Sequence, residues 1–425
     1  STSLVFRQLQ SLLNNVFLVS SHHVTLPSET ALSKPNDISV TWSTFNNTHA
    51  SIVQYGETVM NRQVKGSAKL FVDGGRLKRH QWIHTAIIKG LNFNTSYVYH
   101  VGSEYGWSPI FTFKTPPAGE NWPLRAAIYG DMGSKNAHSL SYLQNEAQQG
   151  HFDVILHVGD FAYDMDTDNA QVGDEFMRQI QPLAATVPYM TCPGNHEQAY
   201  NFSNYAARFT MPGGKDSSLF YSWDLGPVHF VSISTEVYYF LKYGGKLIIN
   251  QYEWLKKDLA KANLPENRIK HPWVIIYGHR PMYCSNSDDA VECGHEHTRT
   301  GFFGYLGLEP LLKEYGVDLV IWAHEHSYER TWPLYDYKVY NGSIDQPYVN
   351  PKAPVHVITG SAGCQEDTDK FIPKRPAWSA FRNSDYGYTR MLVHNKTHLY
   401  MEQVSQVIDS FWLVKTKLRF YETSP

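Results

Sequence analysis

The spacing of apolar positions divides the chain into two parts. Between residues 22 and 114 the segments ISVTW, SIVQYG, HTAIIKGL, SYVYHVG and SPIFTFK are short, alternating and rich in β-branched or aromatic residues, with Gly, Asn and Pro between them. That pattern predicts a β-sandwich. TPPAGENWP, at 115–123, resists both helix and sheet and marks a linker, with the boundary set at 117–118. Beyond it, apolar runs that read as buried strands alternate with helix-period stretches such as SLSYLQNEAQQ and QYEWLKKDLAKAN, which predicts an α/β layer architecture. The expected organisation is an unassigned segment (1–21), an all-β domain (22–117), a large α/β domain (118–412) and a polar tail (413–425), without internal repeats.

Five apolar runs of the α/β part end in the same way. RAAIYGDMG stops at Asp131, DVILHVGDFAY at Asp160 and Tyr163, PYMTCPGNHE at Asn195 and His196, PWVIIYGHRP at His279, and DLVIWAHEHSYER at His324 and His326. In α/β sheets, functional groups converge at the carboxyl ends of strands, where loops splay around a ligand while the strands stay rigid. Along an extended strand the two histidines of His-x-His point to opposite faces, but a turn at the strand end can aim both at one region. The set of two Asp, one Tyr, one Asn and three His offers hard oxygen donors for a trivalent ion and nitrogen donors for a divalent one. Taken singly, each residue has a plainer reading. Asp131 and Asp160 suit turns or helix caps, Asn195 a left-handed turn, His279 and Tyr163 the core. It is the conjunction over five strand ends that points to a metal centre.

Charge and cysteine content narrow the partners. The 37 Lys and Arg against 40 Asp and Glu leave no basic excess for nucleic acid or an anionic membrane. No run reaches the roughly 18 apolar residues of a membrane helix, so no transmembrane segment is expected. Sequons at Asn46, Asn94, Asn201, Asn341 and Asn395 lean towards the secretory pathway, and a start without Met fits a signal peptide removed or omitted. Cys284 and Cys293, in CSNSDDAVEC, have a spacing that suits a loop disulfide in an oxidising compartment, or else are two thiols. Cys192 and Cys364 read as buried small residues.

The ordered set GDMG, GDFAY, GNHE, GH and AHEH resembles the calcineurin-like metallophosphoesterases and, through the Tyr of GDFAY, the purple acid phosphatases. The likeness covers most of the chain: residues 22–114 resemble that family's fibronectin-III-like domain, and DYGYTRMLVHNKTHLYMEQV its last strands. GHRPMYCSN and HEHSYER look like the animal, high-molecular-weight branch. Ala323 stands where the family usually has Gly, and the histidines beyond His279 do not follow the family pattern.

The resemblance implies a central β-sandwich of two mixed sheets flanked by helices, preceded by the all-β domain. It implies that Asp131, Tyr163 and His326 bind Fe(III), that Asn195, His279 and His324 bind a divalent ion (Fe, Zn or Mn), and that Asp160 bridges them. His196 would be the catalytic acid or phosphoryl contact; His297 and His295, in the polar stretch GHEHTR, are candidates for further substrate contacts or else solvent-exposed histidines. The implied function is an acid phosphatase cleaving small-molecule or protein phosphate monoesters with a metal-bound hydroxide. It would be secreted or lysosomal, with room for a homodimer. A phosphodiesterase or nucleotidase of the same superfamily is the nearest alternative, and a non-catalytic, metal-containing binding protein is the alternative from another class.

Overall fold

The computed structural model describes residues 21–25, 36–212, 218–287, 293 and 296–416. Residues 1–20, which make up nearly all of the unassigned segment, and His295 lie outside these. In the N-terminal part, one sheet runs in the order Ser21–Thr25, Ile38–Thr44, His80–Ile88, Ser67–Val72. The second runs Arg62–Lys65, Ile52–Gly56, Ser96–Ser103, with Phe111–Lys114 also on Ser96–Ser103. Alternation puts Val40, Trp42, Val53, Tyr97, Tyr99 and Phe113 inside, all 2% exposed or less. The loop between Ser67–Val72 and His80–Ile88 docks on the α/β part. Asn204 donates to Asp73 Oδ1 at 3.0 Å, and Arg79 and Gln81 both reach Asp174.

The α/β part is built on two mixed sheets, as the resemblance implies. One has the order Tyr189–Cys192, Val154–Val158, Leu124–Tyr129, Tyr388–Val393, His398–Val404, Val407–Val414. The other has the order Tyr221–Leu225, Val228–Ser232, Trp273–Tyr277, Leu319–Trp322, Val355–Thr359, Tyr328–Thr331, Ser379–Asn383. VILHV, WVIIY and LVIW are buried at every position, as expected of strands covered on both faces. Polar contacts join the sheets: Tyr221 Oη donates to Thr191 O at 2.6 Å, and Thr389 Oγ1 to Thr359 Oγ1 at 2.9 Å. Helices Leu140–Gln148 and Thr167–Ala184 pack on each other, and Lys246–Ala262 holds the seven-stranded sheet through Asp258, which bonds Ser222 and His229.

The last strand runs to Val414, past residue 413 where the tail was expected to begin. The reason is local: Phe411 and Leu413 face inward at 6% and 1% exposure, while Trp412 between them faces out, so the strand alternation carries on to its end. Residues 417–425 lie outside the described residues.

Candidate metal centre

Strands Leu124–Tyr129, Val154–Val158 and Tyr189–Cys192 are mutually parallel, as are Trp273–Tyr277 and Leu319–Trp322. Their carboxyl ends therefore share an edge within each sheet, and all five are followed within three residues by a candidate ligand. The turns are tight: Asp131, Asp160, Tyr163 and His324 occupy the left-handed region at φ 55°, 50°, 53° and 72°. Such conformations persist in non-glycine residues only where the surroundings over-determine them, and they cluster at functional sites. Two glycines make the close approach. A Cβ at Gly159 would lie 2.4 Å from His279 Nδ1, and one at Gly194 would lie 2.2 Å from Asp160 Oδ1.

The seven predicted side chains meet. Ligand atoms of Asp160, His279 and His324 all lie within 4.8 Å of one another. His279 Nε2 is 3.2 Å from Asp160 Oδ2 and 3.1 Å from Asn195 Oδ1. Tyr163 Oη is 2.8 Å from His326 Nε2 and 3.4 Å from Asp131 Oδ1, and His326 Nε2 is 3.6 Å from Asp131 Oδ1. The turn after Trp322 thus sends the two histidines of the pair to different neighbours. The Ala323 methyl fits because residue 130 is glycine, where a Cβ would come within 2.4 Å of it.

The donor set suits cations. Asp131 and Asp160 are 0% and 1% exposed, and a buried carboxylate pair demands positive charge. His279 Nδ1 lies 2.9 Å from Val158 O and His326 Nδ1 lies 3.1 Å from Asp367 O. A carbonyl accepts, so each Nδ1 carries a proton, which leaves Nε2 as the atom each ring can offer to a cation. Burial pushes the Asp160 carboxyl up, but His279 beside it, with His196 and His324, more than reverses this and holds it below the ordinary range. Burial raises the Tyr163 phenol, and the Asp131 and Asp160 charges raise it further, so forming a phenolate there calls for a strong Lewis acid.

Asn195, His196 and His324 are half-buried and form the open side. His196 Nδ1 pairs with Asp164 Oδ1 at 3.0 Å. Burial pulls its pKa down, but the Asp164 hydrogen bond and the Asp160 charge carry it to about 9. His297 is exposed on the short helix His297–Thr300, with its ring against Phe302 and Tyr239 at 4.8 and 5.8 Å, and among the described residues it makes no contact with the seven.

Four contributors carried no assigned role in the sequence reading. Glu197, 2% exposed, accepts the amides of Asp160 and Gly194 on Oε2 at 2.9 and 2.8 Å and that of Phe161 on Oε1 at 3.1 Å, tying two ligand loops together. Asp164 orients His196. Arg280 is held by Glu236 at 3.2 Å and by the Tyr239 ring at 4.4 Å, and places Nη1 2.9 Å from His324 Nε2. Cys364, buried as expected, lies 3.0 Å from His326 Nδ1. Arg280 stood in view directly after His279; only its charge beside a candidate ligand could have marked it. Cys284 and Cys293 form the disulfide that their spacing allows.

The fold and the site define a metallophosphoesterase, and the comparisons agree. Residues 124–328 match the calcineurin-like phosphoesterase family, residues 22–115 the purple acid phosphatase N-terminal domain and residues 353–410 the iron/zinc purple acid phosphatase-like C-terminal region. Acid phosphatase type 7 of Danio rerio is 53% identical over 92% of either chain, and that of Homo sapiens 49% over 92% of this chain and 90% of its own. The structure of a purple acid phosphatase from yellow lupin (Lupinus luteus) seeds superposes with a TM-score of 0.77 at 26% identity, covering 93% of this chain and 74% of that one. The chain belongs to the purple acid phosphatases and is an acid phosphatase, a phosphoric monoester hydrolase of the kind with a binuclear metal centre. No helix among the described residues is long and apolar enough to cross a membrane.

Proposed function

We propose that Asp131, Tyr163 and His326 bind a ferric ion, that Asn195, His279 and His324 bind a divalent ion (Fe, Zn or Mn), and that Asp160 bridges the two. The observation that carries this is the division of the donors. Tyr163 contacts Asp131 and His326, whereas His279 contacts Asn195 and stands with His324 around Asp160. A phenol and carboxylates suit a hard trivalent ion, and imidazoles with an amide oxygen suit a divalent one.

Cations held by these residues would supply Lewis acidity for a phosphate oxygen and for a water nucleophile. His196, kept protonated by Asp164, faces the open side and donates to a phosphoryl oxygen or to the leaving alkoxide. Arg280 adds a second donor that never loses its proton, fixed by Glu236 and Tyr239. His297 takes a place at the rim, one ring away from Arg280 through Tyr239. The Cys284–Cys293 disulfide and the exposed Asn46, Asn94 and Asn201 support glycosylation and a secreted or lysosomal location. Asn341 and Asn395 are half-buried, and Asn395 Oδ1 is used within its own turn, so they fit a glycan less well.

Hydrolysis of monoester and diester substrates at acid pH by wild type, His324→Ala and Asp160→Asn tests this reading. Monoester turnover is expected to dominate and to fall about a hundredfold or more in both variants. Unchanged rates end the ligand assignment, and dominant diester turnover replaces monoesterase with phosphodiesterase.

A further inference from the structure

Loop 73–79 of the N-terminal domain meets the α/β part at two turns, and each turn follows a loop of the site. Asn169 stands five residues after Asp164, and Tyr200 four after His196. Both belong to runs of three left-handed residues: Asp168, Asn169 and Ala170 at φ 51°, 54° and 66°, and Tyr200, Asn201 and Phe202 at φ 52°, 58° and 58°. Ala, Tyr and Phe avoid this region, so such runs persist only where neighbours hold them. Loop 73–79 holds both. The Leu77 amide donates to Asn169 Oδ1 at 3.0 Å, and Arg79 Nη1 to Asn169 O at 3.2 Å. At the other turn Asn204 donates to Asp73 Oδ1 at 3.0 Å, and the Tyr200 ring lies so close to Gly74 that a Cβ there would come within 2.1 Å of its Cγ. Arg208 ties the second helix to the first run by donating to Ala170 O at 3.0 Å.

From these turns, backbone hydrogen bonds lead back to the site. The Ala170 amide donates to Asp166 O at 2.9 Å and that of Thr167 to Asp164 O at 3.0 Å; the Phe202 amide donates to Gln198 O and that of Gln198 to Asn195 O, both at 3.3 Å. The two series end on either side of the His196 Nδ1–Asp164 Oδ1 contact. The Asp164 side chain is 53% exposed, so its own packing does little to fix it, and its backbone, left-handed at φ 73°, sets its place. We propose that loop 73–79 is a positioning element for the His196–Asp164 pair, through which the N-terminal domain sets the aim of the donor on the open side of the metal centre. This rests on the role given to His196 above. Small displacements of a catalytic group, caused from a distance, cost up to about a hundredfold in rate, so loosening one of several holds should cost about tenfold.

Two variants of the whole, metal-loaded chain test the proposal, each alone and combined with His196→Ala. Asn169→Gly keeps the left-handed turn accessible but removes the acceptor of the Leu77 amide, and Gly74→Ala drives a methyl group against the Tyr200 ring. Neither residue is fully buried, and neither touches the seven candidate ligands. Each single variant should lower monoester kcat about tenfold, with KM within about twofold and metal content as in wild type. In the His196→Ala background each should cost less than about twofold, because the group they aim is gone. Wild-type kcat in both single variants overturns the proposal. So does loss of metal alongside activity, since the loop would then act on the ligands. A full tenfold cost on top of a slow His196→Ala strikes the proposal alone. A His196→Ala enzyme with wild-type kcat instead removes the role of His196, and the proposal with it.

Discussion

Glu197 Oε2 accepts the backbone N–H of Asp160 at 2.9 Å, across 37 residues of sequence. The same oxygen takes the Gly194 amide and its partner oxygen the Phe161 amide, so one buried carboxylate sets the spacing between the loops that carry Asp160 and Asn195. In Glu197→Gln an NH2 group would face an N–H donor. Metal content and monoester kcat should both drop about tenfold or more, as for other groups that orient metal ligands. Wild-type values for both would mean that the loops hold themselves.

The junction between the two domains makes a second prediction. Asp174, 3% exposed, pairs with the buried Arg208 at 2.9 Å and with Arg79, which comes from the N-terminal domain and is 25% exposed. Asp174→Ala strands Arg208 without its counter-ion and should cost about 3–5 kcal/mol in denaturant unfolding. Arg79→Ala removes a charge that solvent partly screens and should cost about 1 kcal/mol. Equal costs would show that the interface, not the buried pair, carries the energy.

His229 gives the stability a pH dependence away from the metal edge. It lies between Asp224 Oδ1 at 2.6 Å and Asp258 Oδ2 at 2.9 Å. Burial lowers its pKa, but the Asp258 charge and the hydrogen bonds to both carboxylates carry it to about 10. A pKa raised on folding stabilises fully below the unfolded value near 6.5 and is lost as pH climbs through the folded value. Stability should therefore fall by on the order of 4 kcal/mol between about pH 6.5 and 10, and His229→Gln should flatten that slope. An unchanged slope in the variant would assign it to other groups.

The seven strand-end residues were legible because each follows a mostly apolar run, and the parallel strands within each of the two sheets must bring their ends to one edge. What surrounds them was not. Glu197 belongs to GNHE, yet its partners Asp160 and Phe161 lie a whole βα unit earlier, and no local pattern links them. Arg79, in GGRLKR, meets Asp174 and Asn169 only through the fold, some 90 residues on in sequence. Histidines such as His297 stand out in the sequence as substrate contacts, whereas the guanidinium that reaches His324 is that of Arg280, adjacent in sequence to a candidate ligand.

Elemental analysis of the purified protein, read beside its visible spectrum, bears most directly on the proposed centre. Wild type should carry two metal ions per chain, one of them iron, and a charge-transfer band that Tyr163→Phe abolishes while the protein stays folded. Iron bound without that band, or full monoesterase activity in protein with fewer than two ions per chain, would contradict it.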